Sequence, residues 1–411
     1  MQVSLSDQKI HSNQSIALSD LVFLLPVFMI APLFTIIVYS VNKYRQKTEI
    51  SDKPIGSLII LLSGYIGLLH STRVVQGDQG EYLYWYDISK TMSLDTYLNL
   101  IPQKDWVYWL FTYFYSNILI LNSYSFFFII GFVGVLALLQ AVWVNCIKIK
   151  LNNSATILLI VTVAFSADIF VWSMHLLRQN LAFSIAIYAL SILYAAEKVN
   201  TKIILLSLAS VLIHGAVAVF LVPGIIVYVL GKSGVKNAIV WLVLLFLLFY
   251  YASTMMYVIN DISTSVYDRG INGSDRTAID ATEWVIHQAF LLVIMGTAII
   301  SLLNKKAFFD VMMQSSFVLI YGSFLFILLY ADDTSLVGYR LVITVHFLLP
   351  LMLPVLFNGV TSMFSSGYKD FARGLIIAFL ILWIVRFFRA IGRYGYPDPL
   401  ILLVNPFIAF I

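Results

Sequence analysis

The chain alternates long apolar runs with short polar ones. The apolar runs fall approximately over 21–41, 55–71, 124–146, 155–174, 178–196, 203–231, 238–259, 284–303, 311–330, 339–357 and 373–391. A helix needs roughly 17–25 such residues to cross a bilayer, and in lipid only helices and closed barrels satisfy their own backbone groups. The pattern predicts an all-α polytopic membrane protein with about 10–12 transmembrane helices. The 203–231 run is too long for one untilted span and carries His214-Gly215 and Pro223-Gly224. Breaks there predict two short helices or a re-entrant hairpin, which lipid tolerates only where the irregular backbone lines protein or a wet cavity.

Composition excludes a soluble domain. Hydrophobic residues make up 61% and charged residues 11%, against about 25% charged in ordinary globular domains. The first 20 residues are polar and lack the basic-then-apolar order of a cleavable signal, so the first span is expected to be retained. Cys146 is the single cysteine, which excludes an intrachain disulfide and a multi-cysteine metal site. A net charge of +4 offers nothing for nucleic acid.

The placement of the charges changes the picture more than their sum. Lys43, Lys47, Lys53, Lys148, Lys150, Lys198, Lys202, Lys232, Lys236, Lys305, Lys306 and Lys369 fall in alternate short loops. By the positive-inside rule those loops are cytoplasmic. The loops 72–123 and 260–283 are then outside, and 203–231 must go in and come back. Counting 106–121 as a span would put Lys148 and Lys150 outside, so the segment near 105–121 is read as an interfacial or re-entrant helix within the first outer loop. Arginine behaves differently. Arg73, Arg178, Arg269, Arg276, Arg340, Arg386, Arg389 and Arg393 lie at or near the outer side. The rule does not distinguish lysine from arginine, but the planar guanidinium fork suits carboxylate and phosphate. The outer face is therefore expected to bind an anion.

Candidate chemistry clusters there. The stretch RVVQGDQGEYLYWYD, 73–87, places Arg73, Asp78 and Glu81 among Tyr82, Tyr84, Trp85 and Tyr86. Acids beside aromatic rings suit sugars, whose hydroxyls want acceptors and whose C–H faces want flat apolar surfaces. The same composition also makes an interfacial aromatic belt. Arg276 has Asp275 beside it, and Arg340 has Asp332 and Asp333 close by, so ion pairing competes with ligand binding at both. Arg386, Arg389 and Arg393 share a helical face that suits a lipid headgroup or a phosphate. His214 sits at the glycine break, as a cavity wall or as an interhelical hydrogen-bonding residue.

GDQGEYLYWY, the aromatic helix behind it, LLRQNLAFSIAIYAL and IHGAVAVFLVP resemble the EpsG-like branch of the Wzy polysaccharide polymerases. The likeness covers roughly residues 70–230 and extends loosely to YRLVITVHFLLPLMLPVL. It implies a metal-independent glycosyltransferase, without cofactors, on the outer face of the bacterial cytoplasmic membrane. The implied substrates are polyprenyl-diphosphate-linked glycans, as donor and acceptor, and a chain-length regulator is an implied partner. Asp78, Arg178, Gln179 and His214 occupy the family's patterned positions, whereas Gly215-Ala216 stands where serine-alanine is common. The expected site is Asp78, His214 and Arg178 for catalysis, with Arg73, Glu81, Tyr82, Trp85, Gln179, Arg276 and Arg340 for substrate. Asp78 and His214 both remain candidates for the base. An O-antigen ligase-like transferase is the neighbouring alternative, and a secondary transporter or flippase the more distant one.

Overall fold

A computed structural model describes residues 18–45, 53–72, 78–101, 105–119, 122–232, 281–303, 309–330 and 343–363, together with 374, 377, 378, 381 and 383–388. The expected run 238–259 and outer loop 260–283 up to residue 280 lie outside the described residues, as do Arg73, Arg276 and Arg340.

The described residues form an all-α bundle. Its elements are α1 (Leu18–Ile30), α2 (Pro32–Arg45), α3 (Lys53–Thr72), α4 (Asp78–Ser89), α5 (Leu94–Leu100), α6 (Trp106–Asn117), α7 (Ser123–Lys148), α8 (Asn153–Ala164), α9 (Ala167–His175), α10 (Leu177–Ala196), α11 (Thr201–Ile213), α12 (Ala218–Lys232), α13 (Ala281–Leu303), α14 (Phe309–Tyr330) and α15 (Leu349–Met363). Short 3-10 turns, Gly215–Val217 and Ile343–Leu348, precede α12 and α15. Ser71, Trp143 and Tyr194 exemplify how fully the middle helices are enclosed. Among the described residues, four stretches are long and apolar enough to cross a bilayer: Ile55–Thr72, Ser123–Lys148, Leu177–Ala196 and Gly215–Lys232.

Asparagine side chains start several of these helices. Asn122, Asn152 and Asn200 each accept the amide of the residue three positions on, at 2.9, 2.8 and 3.0 Å. Such caps satisfy amides that a helix start leaves orphaned, so the chain turns sharply at the ends of the bundle.

Helix α7 is the hub, packed against α3 on one side and α10 on the other. It runs parallel to α10. Lys148 Nζ reaches Ala195 O at 2.9 Å at one end, and Gly134 backs directly onto Asn180 and Leu181 nearer the other. A Cβ on Gly134 would meet Asn180 Nδ2 at 3.1 Å, so a small residue is needed for this approach. Lys148, Lys198, Lys202 and Lys232 gather at one end of the bundle, called the lysine end below.

The 203–231 region is a helical hairpin. α11 rises about 20 Å from the lysine end, stops at His214, and α12 returns. The return is fixed by Tyr194, near the lysine end of α10, whose hydroxyl donates to Gly224 O of α12 at 3.0 Å. The break at His214-Gly215 is therefore as expected, but no second break occurs at Pro223: α12 continues through it. Two other expected single spans are interrupted. The first splits at Ala31, between α1 and α2, and 155–174 splits at Phe165-Ser166, between α8 and α9.

α4, α5 and α6 form a lobe over the opposite end. Ser89 and Ser116 hydroxyls are 2.6 Å apart, and Asn117 Nδ2 donates to Ser89 O at 2.8 Å, joining α4 to α6. Phe126 of α7 packs against Tyr86, Tyr108 and Tyr115 beneath this lobe. Since Gly134 is level with Asn180, α7 projects about 12 Å beyond the start of α10. α6 spans that difference, with its N-terminal tip at the level of Arg178. It is the helix expected near 105–121.

Near the lysine end the helices are joined by neutral amides. Asn145 Nδ2 donates to Ser191 Oγ at 3.1 Å and Pro350 O at 3.0 Å, and Gln314 Nε2 donates to Asn145 Oδ1 at 2.6 Å. Four helices or their starts meet on this one side chain. Asn145→Leu is expected to lower stability by about 1–3 kcal/mol, because Gln314 keeps its burial and loses its acceptor. Chemical unfolding of the purified protein in micelles checks this, and an unchanged midpoint refutes it.

Candidate active site

Three helix ends converge where the hairpin stops. The N-terminus of α10 supplies Arg178, the tip of α6 supplies Asp105, and the end of α11 supplies His214. Asp105 Oδ2 accepts from Arg178 Nη1 at 2.9 Å and lies 3.0 Å from His214 Nδ1. Its other oxygen accepts the Gly215 amide at 3.1 Å. The Asp105 side chain is 3% exposed, Arg178 16% and His214 23%. A buried carboxylate thus serves a cation, an imidazole and a backbone amide, while the two side chains it holds stay reachable.

The local sequence explains the geometry. Asp105 has φ 63° and ψ 30°, a left-handed conformation that aspartate tolerates better than most residues. By position it caps α6, yet its side chain bonds none of the α6 amides. The turn of the backbone instead aims the carboxylate across to the Gly215 amide, where it caps the start of the returning arm of the hairpin. Burial pushes the Asp105 carboxyl up, but the His214 hydrogen bond and charge, the Arg178 guanidinium and the Gly215 amide together hold it below its ordinary value.

Aromatic rings wall the guanidinium. Its carbon lies 4.7 Å from the Trp109 ring centre, 5.5 Å from Tyr82 and 5.9 Å from Tyr108. Ring faces attract a cation most strongly where water is excluded. The Tyr82 hydroxyl is 3.5 Å from Arg178 Nε, at the limit of a hydrogen bond. Trp85 forms the next layer, 5.7 Å from Trp109 and 6.3 Å from Tyr97.

Of the residues expected from sequence, Arg178, His214 and Tyr82 come together, with Trp85 behind them. Gln179 is adjacent and buried, whereas Glu81 is exposed on α4. Asp78 begins α4, and its side chain lies outside the described residues, as do Arg73, Arg276 and Arg340. Asp105 was not anticipated. The available signal was an aspartate directly before the WVYWLF run, the usual place of a helix cap, which points to local capping and not to a partner 73 residues away.

Arg386 also finds a carboxylate. Its Nη1 and Nη2 donate to the two oxygens of Asp168, both at 2.9 Å, with His346 Nδ1 3.9 Å from the same carboxylate. The lipid-headgroup or phosphate contact expected for Arg386 is replaced by this two-pronged internal pair, which pins 383–388 to the break between α8 and α9. Among the described residues, no group of three His, Cys, Asp or Glu side chains is placed to hold a metal ion.

A model described as the EpsG family matches residues 55–396, a stretch that contains the whole Arg178–Asp105–His214 cluster. The chain belongs to the EpsG family. It is thus a polysaccharide polymerase-like membrane protein. No curated protein and no solved structure matches it.

Asp105 gives this EpsG protein a signed pH dependence. A carboxyl held low contributes its full stability above the ordinary value of 3.8 and loses it as pH falls through its own lower value. The Tm gap between wild type and Asp105→Asn is therefore expected to be widest well above pH 3.8 and to narrow as pH falls below it. A gap independent of pH refutes the ionised carboxylate.

Proposed function

We propose that the protein is a membrane glycosyltransferase that polymerises polyprenyl-diphosphate-linked oligosaccharide repeat units into O-antigen, capsule or exopolysaccharide. The observation that carries this reading is the Arg178–Asp105–His214 cluster at the convergence of α6, α10 and α11. Family membership supports the same chemistry. The cluster sits towards the end opposite the lysines, which by the positive-inside rule faces away from the cytoplasm. A bacterial cytoplasmic membrane with the site on its outer side fits that placement.

Transfer from a diphosphate leaves charge on the departing oxygen. A preformed guanidinium in a dry, aromatic-walled site stabilises such charge without reorganisation, and needs no metal to do so. Among the described residues, the bonds to Asp105 and Tyr82 use Nε and one hydrogen of Nη1, which leaves Nη2 for a phosphate oxygen. The aromatic lobe of α4–α6 offers flat surfaces for sugars, with Tyr84 and Trp106 exposed on it.

Arg178→Lys keeps the charge but loses the fork, and polymer formation is expected to fall about 10²–10³-fold. The readout is the ladder of lipid-linked glycan, which should collapse to one repeat unit. A normal ladder at normal protein level refutes the role. A ladder that stays long while glycan fails to reach its final acceptor indicates a ligase instead.

Orientation is tested separately. Cys146 is buried, so background labelling is low. A cysteine replacing exposed Glu81 is expected to react with an impermeant thiol reagent in intact cells, and one replacing Lys202 is not. The reverse pattern overturns the outward-facing site.

A further inference from the structure

We infer that Asp105 is a positioning residue that fixes the His214 imidazole with Nδ1–H towards its carboxylate, leaving Nε2 as the atom that takes the proton from the acceptor hydroxyl. The inference rests on the glycosyl-transfer reading above and assigns the base within it.

The hydrogen-bond inventory determines the tautomer. Asp105 Oδ2 accepts from Arg178 Nη1 and Oδ1 from the Gly215 amide, so both oxygens face donors. An ionised carboxylate has no proton to give. The third contact, His214 Nδ1 at 3.0 Å from Oδ2, is then a bond that the imidazole must donate. A neutral imidazole carrying its hydrogen on Nδ1 has its lone pair on Nε2. The adjacent Gly215 amide is tied to the same carboxylate, so the ring and the backbone beside it share one anchor.

The step balances with these groups alone. The acceptor hydroxyl proton passes to Nε2, and the acceptor oxygen forms its bond to the donor's anomeric carbon. The bond from that carbon to the diphosphate oxygen breaks, and its electron pair leaves on the polyprenyl diphosphate. The imidazolium is stabilised by Asp105 at its other nitrogen, and the departing charge faces Arg178. Asp105 thus holds base and cation in one frame, so that proton removal and leaving-group stabilisation act at a fixed separation. The described titratable and charged groups around the imidazole are Asp105 on α6 and Arg178 on α10, with the Tyr82 and Tyr108 hydroxyls behind the guanidinium.

The test uses the full-length protein in nanodiscs and, as substrate, the lipid-linked oligosaccharide extracted from cells lacking it. Asp105→Asn is the informative variant, because asparagine tolerates the left-handed backbone at this position and can still accept the Gly215 amide. Its kcat is expected to fall about 10²-fold or more. In a His214→Gln background the same change is expected to cost less than about threefold, because a residue acting through His214 has nothing left to position. Arg178 pairing alone predicts the contrary: losses that multiply in the double variant. That result overturns the assignment. So does a His214→Gln protein that retains full kcat, which transfers the base role to Asp78. If the wild type does not elongate the oligosaccharide at all, the polymerase reading falls and takes this inference with it; elongation with a flat comparison refutes the inference alone. A melting curve on each variant separates loss of chemistry from loss of fold.

Discussion

An arginine cannot shed its charge, so burying Arg178 at the start of a membrane helix makes one carboxylate obligatory. Asp105 meets that demand at 2.9 Å, and much of the opposite end of the bundle follows from it. To bring Asp105 to the level of Arg178, α6 must start beside the N-terminus of α10. To share the same carboxylate, α11 must end at that level and present His214. A bidentate or multiply bonded carboxylate outlasts a single ion pair, because losing one partner leaves the others in place. The cluster is also what joins the hairpin to the lobe.

Two kinds of polar junction hold this chain together, and they are not equivalent. Asn145, Ser191 and Gln314 form a neutral junction towards the lysine end, where amides and hydroxyls bridge helices at a modest desolvation cost. Asp105 with Arg178, and Asp168 with Arg386, are ionised junctions nearer the other end. Replacing a buried ion pair by apolar side chains is often neutral or stabilising, so adhesion alone gives no reason to keep one. The neutral junction shows that this fold has cheaper means of adhesion at its disposal.

The sequence was most legible where lipid imposes the rule. Apolar runs marked the helices, and the glycine after His214 marked the turn between α11 and α12. Its limits are equally physical. A proline within the first turns of a membrane helix need not break it, because neighbouring helices can satisfy the freed carbonyl, and α12 runs through Pro223. Conversely, Phe165-Ser166 carries neither glycine nor proline, yet the helix breaks there, beside the Asp168–Arg386 pair that holds α9 and residues 383–388 together. Asp105 was hidden for a different reason. Its partners are 73 and 109 residues away in the chain, and no local periodicity reports a carboxylate that caps a helix other than its own.

Two of the arginines expected on the side opposite the lysines are engaged by aspartates within the fold. Arg178 and Arg386 each direct the guanidinium at a buried aspartate, using two donors in one case and a single donor plus a tyrosine contact in the other. Lysine, a hydrated point charge, would satisfy the carboxylate but not the second contact. Arg386 spends both terminal nitrogens on Asp168 and so is tied within the fold. Among the described residues, Arg178 gives Asp105 only one bond and Nη2 meets no acceptor, beside an imidazole that is itself partly exposed. The same residue type therefore sits in two settings, and the number of donors left over, rather than the presence of the charge, separates Arg386 from Arg178.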